Sequence, residues 1–258
     1  MAEGKRDWAK LATRIALVLG IGGVAAALVA ALGAGQGLWH FRAAFTVLRY
    51  AFFAAAAGAL VGLVALLLSR RRGKLMMTNL LTVVVALGFV LFLGNLIRTA
   101  RSVPAIHDIT TNLDDVPQFT HLKVRADNLE SIPDEGKAEL KTMPPEARWK
   151  AVHRAHYGDL HTLTLPLPPM EAVRRAATLA RDRGWQIASA DAGAGTVEAT
   201  DTSRFLRFKD DIVVRVRSAP GGGSLVDMRS ISRVGASDVG VNARRVRSFL
   251  ADLEGGSR

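Results

Sequence analysis

His107 and Asp108 stand side by side, an imidazole next to a carboxylate, the pairing that general acid–base chemistry uses. In extended chain, neighbouring side chains point to opposite sides. The pair therefore reads equally as a local cap, with Asp108 and Thr110 holding backbone and His107 packed on the domain. His153, His156 and His161, beside Asp159, are the metal-ligand candidates. The first two lie at i, i+3 on one helix face and would share an ion only if a strand carried His161 to them. Their spacing matches no established zinc pattern, so no metal or other cofactor is expected. Asp201, Lys209, Asp210, Asp211, Arg215, Arg229, Arg233 and Asp238 form the densest polar set. Strand parity puts Arg215 and Arg217 on one face, with Asp227, Arg229 and Arg233 sharing that solvated side. Such residues make cross-strand ion pairs, or they line a polar groove in which arginines grip an anionic ligand or a partner chain. Asp210 and Asp211 alternate faces, which weakens them as a cation site. The chain has no cysteine, which excludes disulfides, thiolate metal sites and cysteine nucleophiles.

The elements that must position these residues occupy 102–258, expected to form one α+β domain. Residues 102–144 carry three X-Pro pairs and no period, so they read as irregular chain that is functional, wrapped over the surface, or flexible. A helix is expected over 145–157, with Pro145 at its start, and a strand over 159–165. A second helix, 170–183, bears an apolar stripe of Val173, Ala176, Ala177 and Ala180 and stops at Gly184. Strands follow at 185–190, 196–200, 207–217 and 225–231, joined by glycine-rich turns. Their alternation marks an antiparallel sheet with one buried and one wetted face. A last helix, 239–253, is expected to start from Ser237 as its N-cap. The fold class is therefore a three-helix transmembrane anchor followed by an antiparallel sheet with helices packed on one face.

The anchor, residues 1–101, rests on apolar spans at about 11–34, 50–68 and 75–97, each long enough to cross a ~30 Å hydrocarbon core. The first span also has the basic start of a secretory signal peptide, although its apolar stretch is longer than an h-region. Lys5, Arg6, Lys10 and Arg14 precede the first span, and Arg70, Arg71, Arg72 and Lys74 fill the second loop. Only Arg42 and Arg49 lie in the first loop, and Arg98 and Arg101 follow the third span. The positive-inside rule then expects a cytoplasmic N-terminus and a periplasmic C-terminal domain at a bacterial inner membrane. Trp8, Trp39, Phe41, Phe45 and Tyr50 flank the spans at headgroup depth. Ala54, Gly58 and Gly62 make a small-xxx-small ladder, for packing within the bundle or for self-association. No acidic residue is embedded in a span, which argues against transport.

The formal charge of +11 first suggests nucleic acid, but ten basic and two acidic residues fall within 1–97, leaving 24 and 21 for the rest. The excess is topology charge beside lipid, so no nucleic-acid partner is expected.

Four blocks, Ile106-His107-Asp108-Ile109-Thr110-Thr111, Glu198-Ala199-Thr200-Asp201-Thr202, Phe208-Lys209-Asp210-Asp211 and Ser232-Arg233-Val234-Gly235-Ala236-Ser237-Asp238 with Asn242, resemble the domain-of-unknown-function 1499 family over about 104–253. The version here, with His107-Asp108 where many members carry a cysteine, is similar to the membrane-anchored proteobacterial branch. The family has no established reaction, so the resemblance adds Asn242 to the binding set and implies no mechanism. Two functions remain in view. One is a non-catalytic envelope domain that binds a partner or an anionic ligand. The other is a tethered hydrolase using His107 with Asp108, or the Asp201 and Asp210 carboxylates.

Overall fold

The computed structural model describes residues 7–256, so Lys5 and Arg6 lie outside the described residues. These fall into two compact units, one built on three long helices together with Arg204–Arg207, and one made of Thr99–Ser203 and the chain from Phe208 onward.

The first unit consists of α1 (Trp8–Gly35), α2 (Phe41–Leu68) and α3 (Gly73–Ser102), each long and apolar enough to span a bilayer. The chain is a membrane protein. Helix α2 begins nine residues before the expected start, so Arg42 and Arg49 lie inside it rather than in a loop. Helix α3 likewise continues past Ile97 through Arg98 and Arg101. Long basic side chains carry their charge out to headgroup depth, so a helix runs on where an apolar window ends. The small-residue ladder faces α1: a Cβ at Gly58 would collide with the backbone of Gly20, and Gly23 faces Ala54 and Ala55. Ala54, Gly58 and Gly62 are thus used within the bundle. One polar cluster joins all three helices. The Asn79 amide donates to Thr13 Oγ1 at 3.1 Å and to Ser69 Oγ at 3.2 Å, and all three residues are buried. Both hydroxyls donate in turn to backbone carbonyls of their own helices, so Asn79 presents its NH2 to them. Arg72 meets Asp7 at 2.6 Å, which puts the start of α1 and the second loop at one end of the bundle.

The second unit is an α+β domain. Strands β1 (Asp108–Thr110), β2 (Leu163–Leu165), β3 (Gln186–Asp191), β4 (Thr196–Thr202), β5 (Lys209–Ser218) and β6 (Ser224–Ser232) pair antiparallel in the order β1-β6-β5-β4-β3. Strand β2 shares the outer edge of β6 with β1. Helices α4 (Ala138–Thr142), α5 (Pro145–Tyr157), α6 (Pro169–Asp182) and α7 (Val241–Gly255) complete it. On one sheet face, Val197, Ala199, Ile212, Val214, Val216, Val226 and Met228 pack against Val173, Ala176, Ala177 and Ala180 of α6 and Val246, Phe249 and Leu253 of α7. Trp185 stacks on Phe249, with ring centroids 5.2 Å apart.

The irregular segment contains a strand that the sequence does not announce. β1 is three residues long, and its outer edge is closed by side chains of α5. Trp149 Nε1 donates to the Asp108 carbonyl (2.8 Å), and the Thr110 N–H donates to His153 Nε2 (3.1 Å). Two backbone groups that an edge strand would leave bare are satisfied this way. Helix α7 starts later than expected. Val239 and Gly240 adopt positive φ, and Asp238 rather than Ser237 receives the free N–H groups, those of Gly240 and Asn242.

Candidate functional site

The polar residues of β1, β4, β5 and β6 follow strand parity. The register pairs Glu198 with Val213, Thr200 with Asp211, Arg215 with Asp227 and Arg229 with Thr110, so these side chains share the face away from α6 and α7. That face is not wetted. Residues 111–133 run across it as a strap, and what looked like a solvated charged surface is an interior. The strap needs polar partners because it has no ladder of its own. A buried charge in turn needs hydrogen bonds to offset its desolvation.

Three carboxylates anchor the strap. Glu198, fully buried, accepts the backbone N–H groups of Thr120 (2.6 Å), His121 (3.0 Å) and Leu122 (2.7 Å), and the Thr120 hydroxyl at 2.7 Å. Burial pushes its pKa up, but the Thr120 hydroxyl and the three N–H groups outweigh that and hold it below the usual glutamate value. Asp227, also fully buried, accepts Thr162 and Thr111 hydroxyls and the guanidinium groups of Arg215 (2.9 Å) and Arg217 (2.8 Å). Arg215 and Arg217 reach on to Asp115 of the strap. Asp108 takes a bidentate grip from Arg229, at 3.0 and 2.7 Å, and the Asn128 amide at 2.5 Å. Arg229 also donates to the Pro117 carbonyl and lies under the Phe119 ring.

His107 and Asp108 are both sealed in, the ring with Asn128 Oδ1 at 3.2 Å and the carboxylate on Arg229. One amide, that of Asn128, spans the two side chains. Asp211 meets Arg233 (2.8 Å) and the Thr200 hydroxyl on the strap face. Asp201 and Asp210 lie on the opposite face, where Arg245 of α7 bridges them at 2.8 and 2.7 Å. Arg245 also contacts Asn242, whose amide ties the His107 carbonyl to Ser232 and accepts from Ser230. Asp238 is half-buried before the start of α7, and desolvation raises its pKa. Lys209 is exposed. The nine candidate binding residues are therefore spread over both faces and one turn, not gathered in a groove. The hydrolase candidates are likewise divided between the two faces.

The histidines also separate. His153 is buried between Trp149 and Tyr157 in an edge-to-face ladder. Burial lowers its pKa to about 4, so the ring is neutral. Because Nε2 accepts from Thr110, the proton sits on Nδ1, which has no partner among the described residues. His156 pairs with Glu135 at 2.5 Å, and His161 Nδ1 contacts the Asp159 carbonyl. Among the described residues no group of three His, Cys, Asp or Glu side chains converges as a metal site. An open cleft of about 620 Å3 is lined by Thr111, Leu113, His153, Arg154, Leu160 and Thr162, among others.

Sequence reasoning missed Glu198, Asn128, Asp115 and Arg245, which do much of the holding. Glu198 carried a signal: it lies between Val197 and Ala199 in a strand otherwise bare of long charged side chains. Asn128 and Asp115 carried none, since a strap without period gives no parity.

No curated protein matches the chain. A family model described as "Protein of unknown function (DUF1499)" matches residues 108–253, from the first strand to the last turns of α7, and the chain belongs to that family.

Proposed function

We propose that this is a non-catalytic envelope protein: an inner-membrane anchor with its N-terminus in the cytoplasm, presenting a periplasmic domain that binds a partner or small ligand. The observation that carries the reading is the commitment of the charged side chains. Asp108, Glu198, Asp211 and Asp227 are each buried against arginines or backbone N–H groups, which leaves no free acid–base pair among them. Tethered hydrolysis on His107 and Asp108 draws no support from that geometry. The surface assigned to binding is the open cleft beside α5, walled by Thr111, Leu113, Arg154, Leu160, His161 and Thr162.

A photo-crosslinking residue at His161, on the wall of that cleft, tests the reading in intact cells. A discrete adduct on the full-length protein, lost when Leu160 is replaced by Glu, supports it. A position that yields no adduct under conditions where the protein is abundant sinks it. The side of the membrane is tested separately by a C-terminal alkaline phosphatase fusion, active if the domain is exported and inactive if the orientation is reversed.

A further inference from the structure

The turn between β4 and β5 carries a sequence that the binding reading does not use: Arg204-Phe205-Leu206-Arg207, followed by Phe208 and Lys209. Its base is closed. Ser203 N–H donates to the Phe208 carbonyl, and Phe208 N–H donates to Ser203 Oγ, both at 2.8 Å. Beyond that closure the turn presents Phe205, 52% exposed, with Arg204 stacked on its ring at 5.8 Å. Arg207 is exposed and holds a positive φ of 54°. Residues Arg204–Arg207 group with the membrane helices, the Phe205 carbonyl lying against Gly35 of α1, while the Phe205 ring stays exposed. A large exposed aromatic on a tight turn is a cost in water, and a non-glycine residue at positive φ adds to it.

The charges point the same way. Arg183, Arg215, Arg217, Arg229, Arg233, Arg245 and Arg247 of the domain all meet carboxylates. Among the described residues, Arg204, Arg207 and Lys209 form no ion pair; Arg148, Arg174, Arg175, Arg181 and Arg244 form none either, and what sets the three apart is that they flank the exposed Phe205. An apolar tip ringed by unpaired cations has the composition of an interfacial anchor, in which rings sit at acyl-chain depth and guanidinium groups at phosphate depth. The chain's own spans ensure that a lipid surface is available to it.

We infer that the 203–208 turn is a lipid-binding tip: Phe205 and Leu206 insert into the headgroup boundary of an anionic bilayer, while Arg204, Arg207 and Lys209 contact phospholipid phosphates. The inference does not depend on which leaflet the domain faces or on what the cleft binds.

The absence of cysteine allows a clean test on the full chain. A Leu206→Cys variant is labelled with an environment-sensitive fluorophore and reconstituted in bilayers of phosphatidylcholine with or without phosphatidylglycerol, containing headgroup-proximal spin-labelled lipid. An Ala194→Cys variant, labelled in the turn that precedes β4 and so at the opposite end of that strand, is the control. Quenching is expected at 206 and not at 194, and only with the anionic lipid. Arg204→Gln with Arg207→Gln should lower the inserted fraction about tenfold or more, from roughly 1 kcal/mol for each basic residue near anionic lipid. Equal quenching at both positions, equal quenching in phosphatidylcholine alone, or a spectral shift at 206 without quenching would each overturn the inference. The last outcome would mean that protein, not lipid, covers the tip.

Discussion

The two faces of the sheet are buried by different means. On one, α6 and α7 cover an apolar surface, and the contact is non-directional: any side chain of similar volume fills the space. On the other, a strap with no regular structure covers a surface of Glu198, Asp227, Asp108, Arg215, Arg229 and Asp211. Its contacts are directional, each carboxylate reading a particular set of N–H groups or guanidinium forks. The difference teaches how an irregular segment gets a fixed path. Apolar burial alone would let residues 111–133 slide across the sheet; Glu198 fixes them at Thr120, His121 and Leu122, and Asp108 at Asn128. Val213 and Ile231, buried on the same face, add area without setting register.

The largest test of this contrast is Arg229→Met. It strands Asp108 as a buried charge with only Asn128 beside it, and removal of one partner from a buried pair costs about 3–5 kcal/mol. Urea unfolding of the full chain, followed by tryptophan fluorescence, should show that loss. Asp108→Leu combined with Arg229→Met should recover most of it, because the desolvation penalty leaves with the charge. If the double variant is as unstable as the single one, the pair is fixing geometry rather than merely compensating charge. On the helix face Leu253→Ala should cost about 3 kcal/mol through cavity formation. Leu253→Met should cost well under half as much, since non-directional packing tolerates a volume-conserving exchange. A cost from Leu253→Met equal to that of alanine would break the contrast.

The same contrast explains what was legible in the sequence. The three membrane helices follow from composition, and their ends shifted most where Arg42, Arg49, Arg98 and Arg101 extend a helix beyond its apolar window. Helices α5 and α6 and strands β3 to β6 follow from period and from local stops such as Pro145 and Gly184. Alternation in β5 and β6 correctly sorted Arg215, Asp227 and Arg229 onto one face. It could not say what lay over that face, because water and a strap demand the same polar side chains. β1 was invisible for a related reason: three residues gain strand geometry only from β6 on one side and from Trp149 and His153 on the other. Contacts between residues far apart in sequence leave no local period.

An effect smaller than the loss of Arg229 or of the Leu253 side chain is expected at Glu198, and it separates the faces by pH rather than by packing. Its folded-state pKa is depressed below the ordinary glutamate value, despite burial, by the Thr120 hydroxyl and the N–H groups of Leu122, Thr120 and His121. A depressed carboxylate contributes stability that is fully present above its unfolded pKa, about 4.3, and lost as pH falls through the folded value. Acid should therefore loosen the strap while the α6–α7 face, whose contacts are mainly apolar, keeps its packing. Hydrogen exchange at the amides of Thr120, His121 and Leu122 is the readout, since these are the groups the carboxylate holds. Glu198→Gln should cost about 2 kcal/mol, because the amide NH2 replaces an acceptor among donors. In that variant, protection of the three amides should be low already at neutral pH and should change little on acidification below pH 4. If the amides stay protected in Glu198→Gln and still lose protection in acid, the strap is held by another group, and Asp108 with Asn128 becomes the anchor.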